Sequence, residues 1–117
     1  MTEILAPDIC VIGAGSGGLT VAAAAARFGV EVVLVEKGLM GGDCLNFGCV
    51  PSKAVIAAAK AAHRQRNVAV FGVADVIPEI DFAGVHRHVR EVIDASAPND
   101  SVERFTGLGV RVIAGEA

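Results

Sequence analysis

Hydrophobic positions fall into short unbroken runs near both ends of the chain and into spaced stripes between them, and the two patterns predict different elements. Ile9-Cys10-Val11-Ile12 is an apolar, β-branched run that stops at Gly13, as expected of a strand buried on both faces. Val30-Glu31-Val32-Val33-Leu34-Val35-Glu36 is a second strand and Val110-Arg111-Val112-Ile113 a third. Between the first two, Gly17 to Phe28 carries Leu19 and an unbroken alanine run from Ala22 to Ala26 before Gly29, which reads as a helix closed by a C-terminal glycine. Strand, glycine turn, helix and strand within about 30 residues make a βαβ unit, whose right-handed crossover sets its strands parallel.

Residues 37–51 hold Gly38, Gly41, Gly42, Gly48 and Pro51, too many breakers for an ordinary helix interior. A helix is predicted from Ser52 to about Arg66, with Ser52 as its cap or first turn and Val55, Ile56, Ala59 and Ala62 on its apolar face. Val68 to Pro78 reads as a loop with some extended character. The stripe Val85, Val89, Val92 and Ile93 marks a helix from Asp81 that fades at Pro98. Asp100 and Ser101 can cap one further turn through Phe105, which Gly107 and Gly109 end. The expected fold class is α/β, a Rossmann-like fold with a parallel sheet. Because the third strand runs straight into the terminus with no second layer after it, the chain reads as a piece of something longer.

Composition narrows the possible functions. The chain has 117 residues, 53% of them hydrophobic and 20% charged, which is too apolar for intrinsic disorder. Three cysteines are too few for a disulfide-stapled secreted scaffold. The net charge is −3, and no basic cluster exceeds the Arg64/Arg66 pair, so neither nucleic acid nor an anionic membrane surface is an expected partner. The uncharged run from Ile9 to Ala26 reaches membrane-span length but is broken by Gly13, Gly15, Gly17 and Gly18. Glu3 and Asp8 stand where a signal peptide would carry basic residues, so a cytoplasmic location is expected.

Gly13-Ala14-Gly15-Ser16-Gly17-Gly18 matches G-x-G-x-x-G directly after a strand and at the opening of a helix. The first glycine allows a tight turn, the second lets backbone approach a pyrophosphate, and the third permits close packing of helix on strand. The helix N-terminus then offers free N–H groups and a positive dipole end to phosphates. Glu36 ends the second strand, where a carboxylate accepts hydrogen bonds from an adenosine ribose. Its charge also argues against a 2′-phosphorylated nucleotide at this position.

Cys44-Leu45-Asn46-Phe47-Gly48-Cys49 is a C-x4-C pair, whereas Cys10 reads as core on the first strand. Zinc needs four ligands, and neither a second cysteine pair nor a well-spaced histidine pair is available. A structural disulfide does not suit a reducing cytoplasm. A redox dithiol remains. In an ideal helix, residues five apart have Cα atoms roughly 8 to 9 Å apart, and a disulfide needs less than about 7 Å. The pair therefore requires a distorted turn, for which Gly48 supplies freedom. The following helix N-terminus and Lys53 are expected to favour the thiolates.

Gly41-Gly42-Asp43-Cys44-Leu45-Asn46-Phe47-Gly48-Cys49-Val50-Pro51-Ser52-Lys53, shortly after the glycine turn and Glu36, closely resembles the active-site stretch of class I pyridine nucleotide-disulfide oxidoreductases. That family includes dihydrolipoamide dehydrogenase, glutathione reductase and mercuric reductase. The resemblance covers Asp8 to Ala117 and implies that residues 1–117 are the N-terminal part of an FAD-binding domain, with the NAD(P)H and dimerisation domains outside this chain. It implies FAD with its pyrophosphate on Gly13, Gly15, Ser16, Gly17 and Gly18 and its ribose on Glu36. Lys37, Gly42, Asp43 and Cys44 would line the rest of the dinucleotide, Lys53 would lie near the isoalloxazine, and Ala117 would fall near the adenine. Cys49 would face the flavin, in charge-transfer contact when reduced, and Cys44 would be the interchange thiol. Electrons would pass from NADH or NADPH to FAD, to the Cys44–Cys49 disulfide, and on to a disulfide, dithiol or metal-ion substrate in a homodimeric enzyme. Asp43 departs from the threonine common in relatives. His63, His86 and His88 do not match the family's acid-base histidine and are expected to be solvated. The alternative is a non-catalytic nucleotide-binding module with inert cysteines.

Overall fold

Three parallel strands carry the architecture of this computed structural model, which describes residues 2–117. They are β1 (Ile9–Ile12), β2 (Val32–Glu36) and β3 (Val110–Ala114), in the order β1-β2-β3. Ile9 pairs with Val32, and Val32 in turn with Val110. The register places Val11, Leu34 and Val112 side by side on one face. Helix α1 (Ser16–Arg27) returns across that face and buries Leu19, Ala22 and Ala25. Alanines allow the helix to approach the sheet closely, and Phe105 of α5 (Val102–Gly107) fills the remaining space at 2% exposure. Val11, Val32, Leu34 and Val110 complete this core.

The opposite face is open at β1, although Val33 of the central strand is buried there. Cys10 is exposed and Ile12 is 71% exposed, so β1 is buried on one face rather than the expected two, and Cys10 is not a core residue. The physical reason is layering. Helices cover the Val11 face alone, while the extended segment before β1 reaches the other face at Arg111, which donates two hydrogen bonds to Glu3 at 2.9 and 3.1 Å.

Between β2 and β3 lie α2 (Gly42–Asn46), α3 (Cys49–Gln65) and α4 (Phe82–Ser96). The glycine-rich stretch expected to lack helix therefore holds α2, and α3 begins three residues before Ser52. Pro51 fits there because the first turn of a helix leaves its N–H groups unpaired in any case. The loop expected at Val68 to Pro78 contains a single 3-10 turn, Ala69–Phe71, whose leading amides of Val68 and Ala69 are held by Asp75. Ser101 caps α5 as expected, its Oγ accepting from the Arg104 amide. Helices α3 and α4 pack on each other as an arm, giving extents of 70 × 28 × 18 Å. The predicted apolar face of α3 is largely uncovered: Val55 and Ile56 are 46% and 51% exposed, and Ala54 is its buried residue. His63, His86 and His88 are exposed on this arm. No helix among the described residues is long and apolar enough to cross a membrane.

Candidate dinucleotide and dithiol site

The site gathers at the C-terminal ends of the parallel strands, where open α/β sheets bind their ligands. Gly13 leaves β1 with φ +97°, a conformation that strains any residue with a Cβ, and its amide donates to the Val35 carbonyl at 2.8 Å. A Cβ on Gly18 would overlap the carbonyl oxygen of Gly13, so the third glycine of the motif is where helix and strand touch. Gly15 is different. Nothing lies within 4 Å of where its Cβ would stand, and Ser16 and Gly17 beside it are exposed at the N-terminus of α1. The turn is thus packed on the strand side and open on the side where a phosphate would meet free amides, the shape a dinucleotide requires.

Glu36 lies over this turn. One carboxylate oxygen accepts from the Ala14 amide at 2.6 Å and the other from the Gly38 amide at 2.7 Å. The Ala14 bond, then the Gly38 bond, hold its carboxyl below the ordinary glutamate range, and the Lys37 charge adds a smaller effect. Lys37 itself points to the end of β3, where its Nζ donates to Glu116 at 3.2 Å. The Gly115 amide donates to the Glu36 carbonyl at 2.9 Å, which brings exposed Ala117 to the same end of the sheet.

A second glycine turn docks against the first. The Gly41 amide donates to the Ala14 carbonyl at 2.9 Å. Gly42 has φ +58°, and a Cβ there would stand 2.8 Å from the Cα of Gly15. Asp43 is exposed in the first turn of α2. Asn46 closes this short helix, its Nδ2 donating to the carbonyls of Met40 and Gly42 at 3.1 and 2.9 Å.

The cysteines flank a break between helices. Cys44 belongs to α2, the chain turns at Gly48 with φ −120° and ψ −107°, and Cys49 opens α3. Both are free thiols. The neighbouring Cys49 thiol, then partial burial and the charge of Cys49, raise the Cys44 thiol above its ordinary value. Lys53, one turn into α3, pulls the other way with the least effect. The expectation that the helix end and Lys53 would favour a thiolate is corrected for Cys44 in the balance only: the Cys49 amide at the start of α3 and Lys53 both act in that direction, and the neighbouring sulfur and burial outweigh them. Cys44 also opens onto a groove of about 630 Å³ that runs between α1 and α5, past Leu19, Leu45, Val50 and Phe105.

Sequence reasoning missed the parts played by Asn46, Gly38 and the Ala14 amide. For Asn46 a signal existed, since a short amide side chain four residues after a glycine can close a turn. For the two amides none did, because backbone partners leave no mark on residue type.

Comparison with known proteins agrees with this geometry. The family model described as pyridine nucleotide-disulphide oxidoreductase matches residues 7–116. The chain belongs to that family. Among pyridine nucleotide-disulphide oxidoreductases, the dihydrolipoyl dehydrogenase of Haloferax volcanii is 43% identical over 112 residues, which cover 94% of this chain and 23% of the relative. The mercuric reductase of Streptomyces lividans is 46% identical over 76 residues, 64% of this chain and 16% of the relative. In three dimensions the chain is similar to the Cu(II) complex of the HOCl-induced flavoprotein disulfide reductase RclA from Escherichia coli, with a TM-score of 0.71 and 25% identity over 92% of this chain and 22% of that one. The chain thus spans about a quarter of the length of these family members. The family uses FAD and NAD(P)H.

Proposed function

We propose that this chain is the FAD-binding and dithiol part of an enzyme that exchanges electrons between NAD(P)H and a disulfide, dithiol or metal-ion substrate. The observation that supports it is the placement of Cys44 and Cys49 on either side of the helix break at Gly48, in a segment docked through Gly41 against an open glycine turn. Gly13, Gly15, Ser16, Gly17 and Gly18 would take the pyrophosphate, with Glu36 on the ribose, and Lys37, Gly42, Asp43, Cys44, Lys53 and Ala117 would line the remainder. The chemistry a flavin supplies when bound is the two-electron relay between a reduced pyridine nucleotide and the cysteine pair.

The chain's own residues account for the thiol steps. Deprotonated Cys44 attacks one sulfur of a substrate disulfide, forming a mixed disulfide and releasing one thiolate. Cys49 then attacks Cys44, forming the Cys44–Cys49 disulfide and releasing the second thiolate; the pair loses two electrons and the substrate gains them. The raised Cys44 pKa means that the first step needs a base, and the three histidines of this chain sit exposed on the helical arm. A base from the rest of the enzyme would supply it. The complete enzyme is read as a cytoplasmic homodimer with its pyridine-nucleotide and dimerisation domains outside residues 1–117.

Thiol counting tests the pair directly. The reduced chain has three titratable cysteines, Cys10, Cys44 and Cys49. Mild oxidation should leave one, and peptide mapping should find it to be Cys10. Three remaining thiols, or a disulfide that includes Cys10, would favour the inert nucleotide-binding module instead.

A further inference from the structure

We propose that Glu36 acts as a positioning residue for the glycine turn, its carboxylate clamping the Ala14 and Gly38 amides together. This deepens the assignment of Glu36 to a ribose and rests on that reading only for its consequence, since both bonds are made within the chain itself. Ala14 is fully buried between Gly13, with its left-handed backbone, and Gly15, the open edge of the cradle. Gly38 lies 24 residues further on, in the loop leaving β2. The two bonds, 2.6 and 2.7 Å long, join segments that no other side chain links through hydrogen bonds among the described residues. A carboxylate has about four acceptor positions. The clamp takes one on each oxygen and the Lys37 amide also acts on the group, so at most a pair, one per oxygen, is left for a ligand. A vicinal diol has two donors with which to fill that pair.

The consequence is a coupling between charge and shape. Protonating Glu36 removes its charge and fills one of the free positions, so both oxygens become weaker acceptors and the clamp loosens. Ala14 also accepts from the Gly41 amide, so the junction between the two glycine turns loosens with it. The other charges facing Glu36 are few: Lys37 beside it, paired with Glu116 at the end of β3.

Proton NMR of the unliganded 117-residue chain across the acidic range tests the clamp. The amide protons of Ala14 and Gly38 should both lie downfield and move together, with one shared midpoint below the ordinary glutamate value. In Glu36→Gln both movements should vanish while other β1 and β2 amides hold their shifts. Two amides that titrate apart, or not at all, overturn the clamp. So does a shared titration that survives Glu36→Gln. If the variant does not fold, the wild-type titration decides alone. FAD affinity, measured separately by quenching of flavin fluorescence, tests the nucleotide reading: a clamp without FAD binding would refute that reading, and FAD binding without coupled amides would refute only the clamp.

Discussion

At the scale of single residues, the asymmetry between Cys44 and Cys49 is the feature with the clearest chemical consequence. The spacing C-x4-C located the pair, and Gly48 was legible as the place where the chain must turn. The direction of the Cys44 shift was not legible, because it depends on the neighbouring sulfur and on burial, and the charge of Lys53 suggested the opposite sign. Since the first cause of that shift is the Cys49 thiol, Cys49→Ser should lower the Cys44 pKa toward its ordinary value by removing that sulfur and, with lesser effect, its charge. The pH dependence of alkylation by iodoacetamide, with the modified peptide identified by mass spectrometry, measures this. A Cys44 profile that is unchanged in Cys49→Ser would mean that burial alone sets its reactivity.

At the scale of elements, the strands and the crossover helix were readable because their signals are local. An unbroken β-branched run, a glycine turn and an alanine helix each need only neighbouring residues to be recognised. The burial of β1 and the face of α3 were not readable, since both depend on which layers pack where; the sequence of Ile9 to Ile12 suits two covered faces, and the fold covers one. The crossover itself depends on the contact between α1 and β1 at Gly18. A Cβ there meets backbone, which cannot swing aside as a side-chain end would. Gly18→Ala should therefore destabilise the chain by about 1–3 kcal/mol, the usual cost of overpacking. Phe105→Ala, which empties the largest buried site under the sheet, should cost about 3–5 kcal/mol. Urea melts followed by circular dichroism would compare both with Val55→Ala on the exposed arm. A loss at position 55 as large as that at 105 would contradict this placement of the core.

At the scale of the whole molecule, two carboxylates tie distant parts of the chain together, and both titrate below their ordinary range. Glu3 forms a double hydrogen bond with Arg111 that fastens the N-terminal segment to β3, and Glu36 fastens the first glycine turn to the exit of β2. Arg111, then its charge, lowers Glu3, while the Ala14 and Gly38 amides lower Glu36. A carboxyl whose folded pKa lies below its unfolded one adds stability that is complete above the unfolded value of about 4.5 and is lost as the pH falls through the folded value. These two groups therefore predict a melting temperature insensitive to them from pH 7 to about 5 and a decline below that. The two should also separate by environment. The Glu3–Arg111 pair is solvent-exposed, so salt should screen its share, whereas the Glu36 bonds run to backbone dipoles and should respond much less. Thermal melts from pH 7 to pH 3, at low salt and in 1 M NaCl, check this for the wild type, Glu3→Gln and Glu36→Gln. The acid decline should shrink most in Glu36→Gln at high salt, where the clamp is the part that remains; an identical acid limb in all three proteins would show that neither tie contributes.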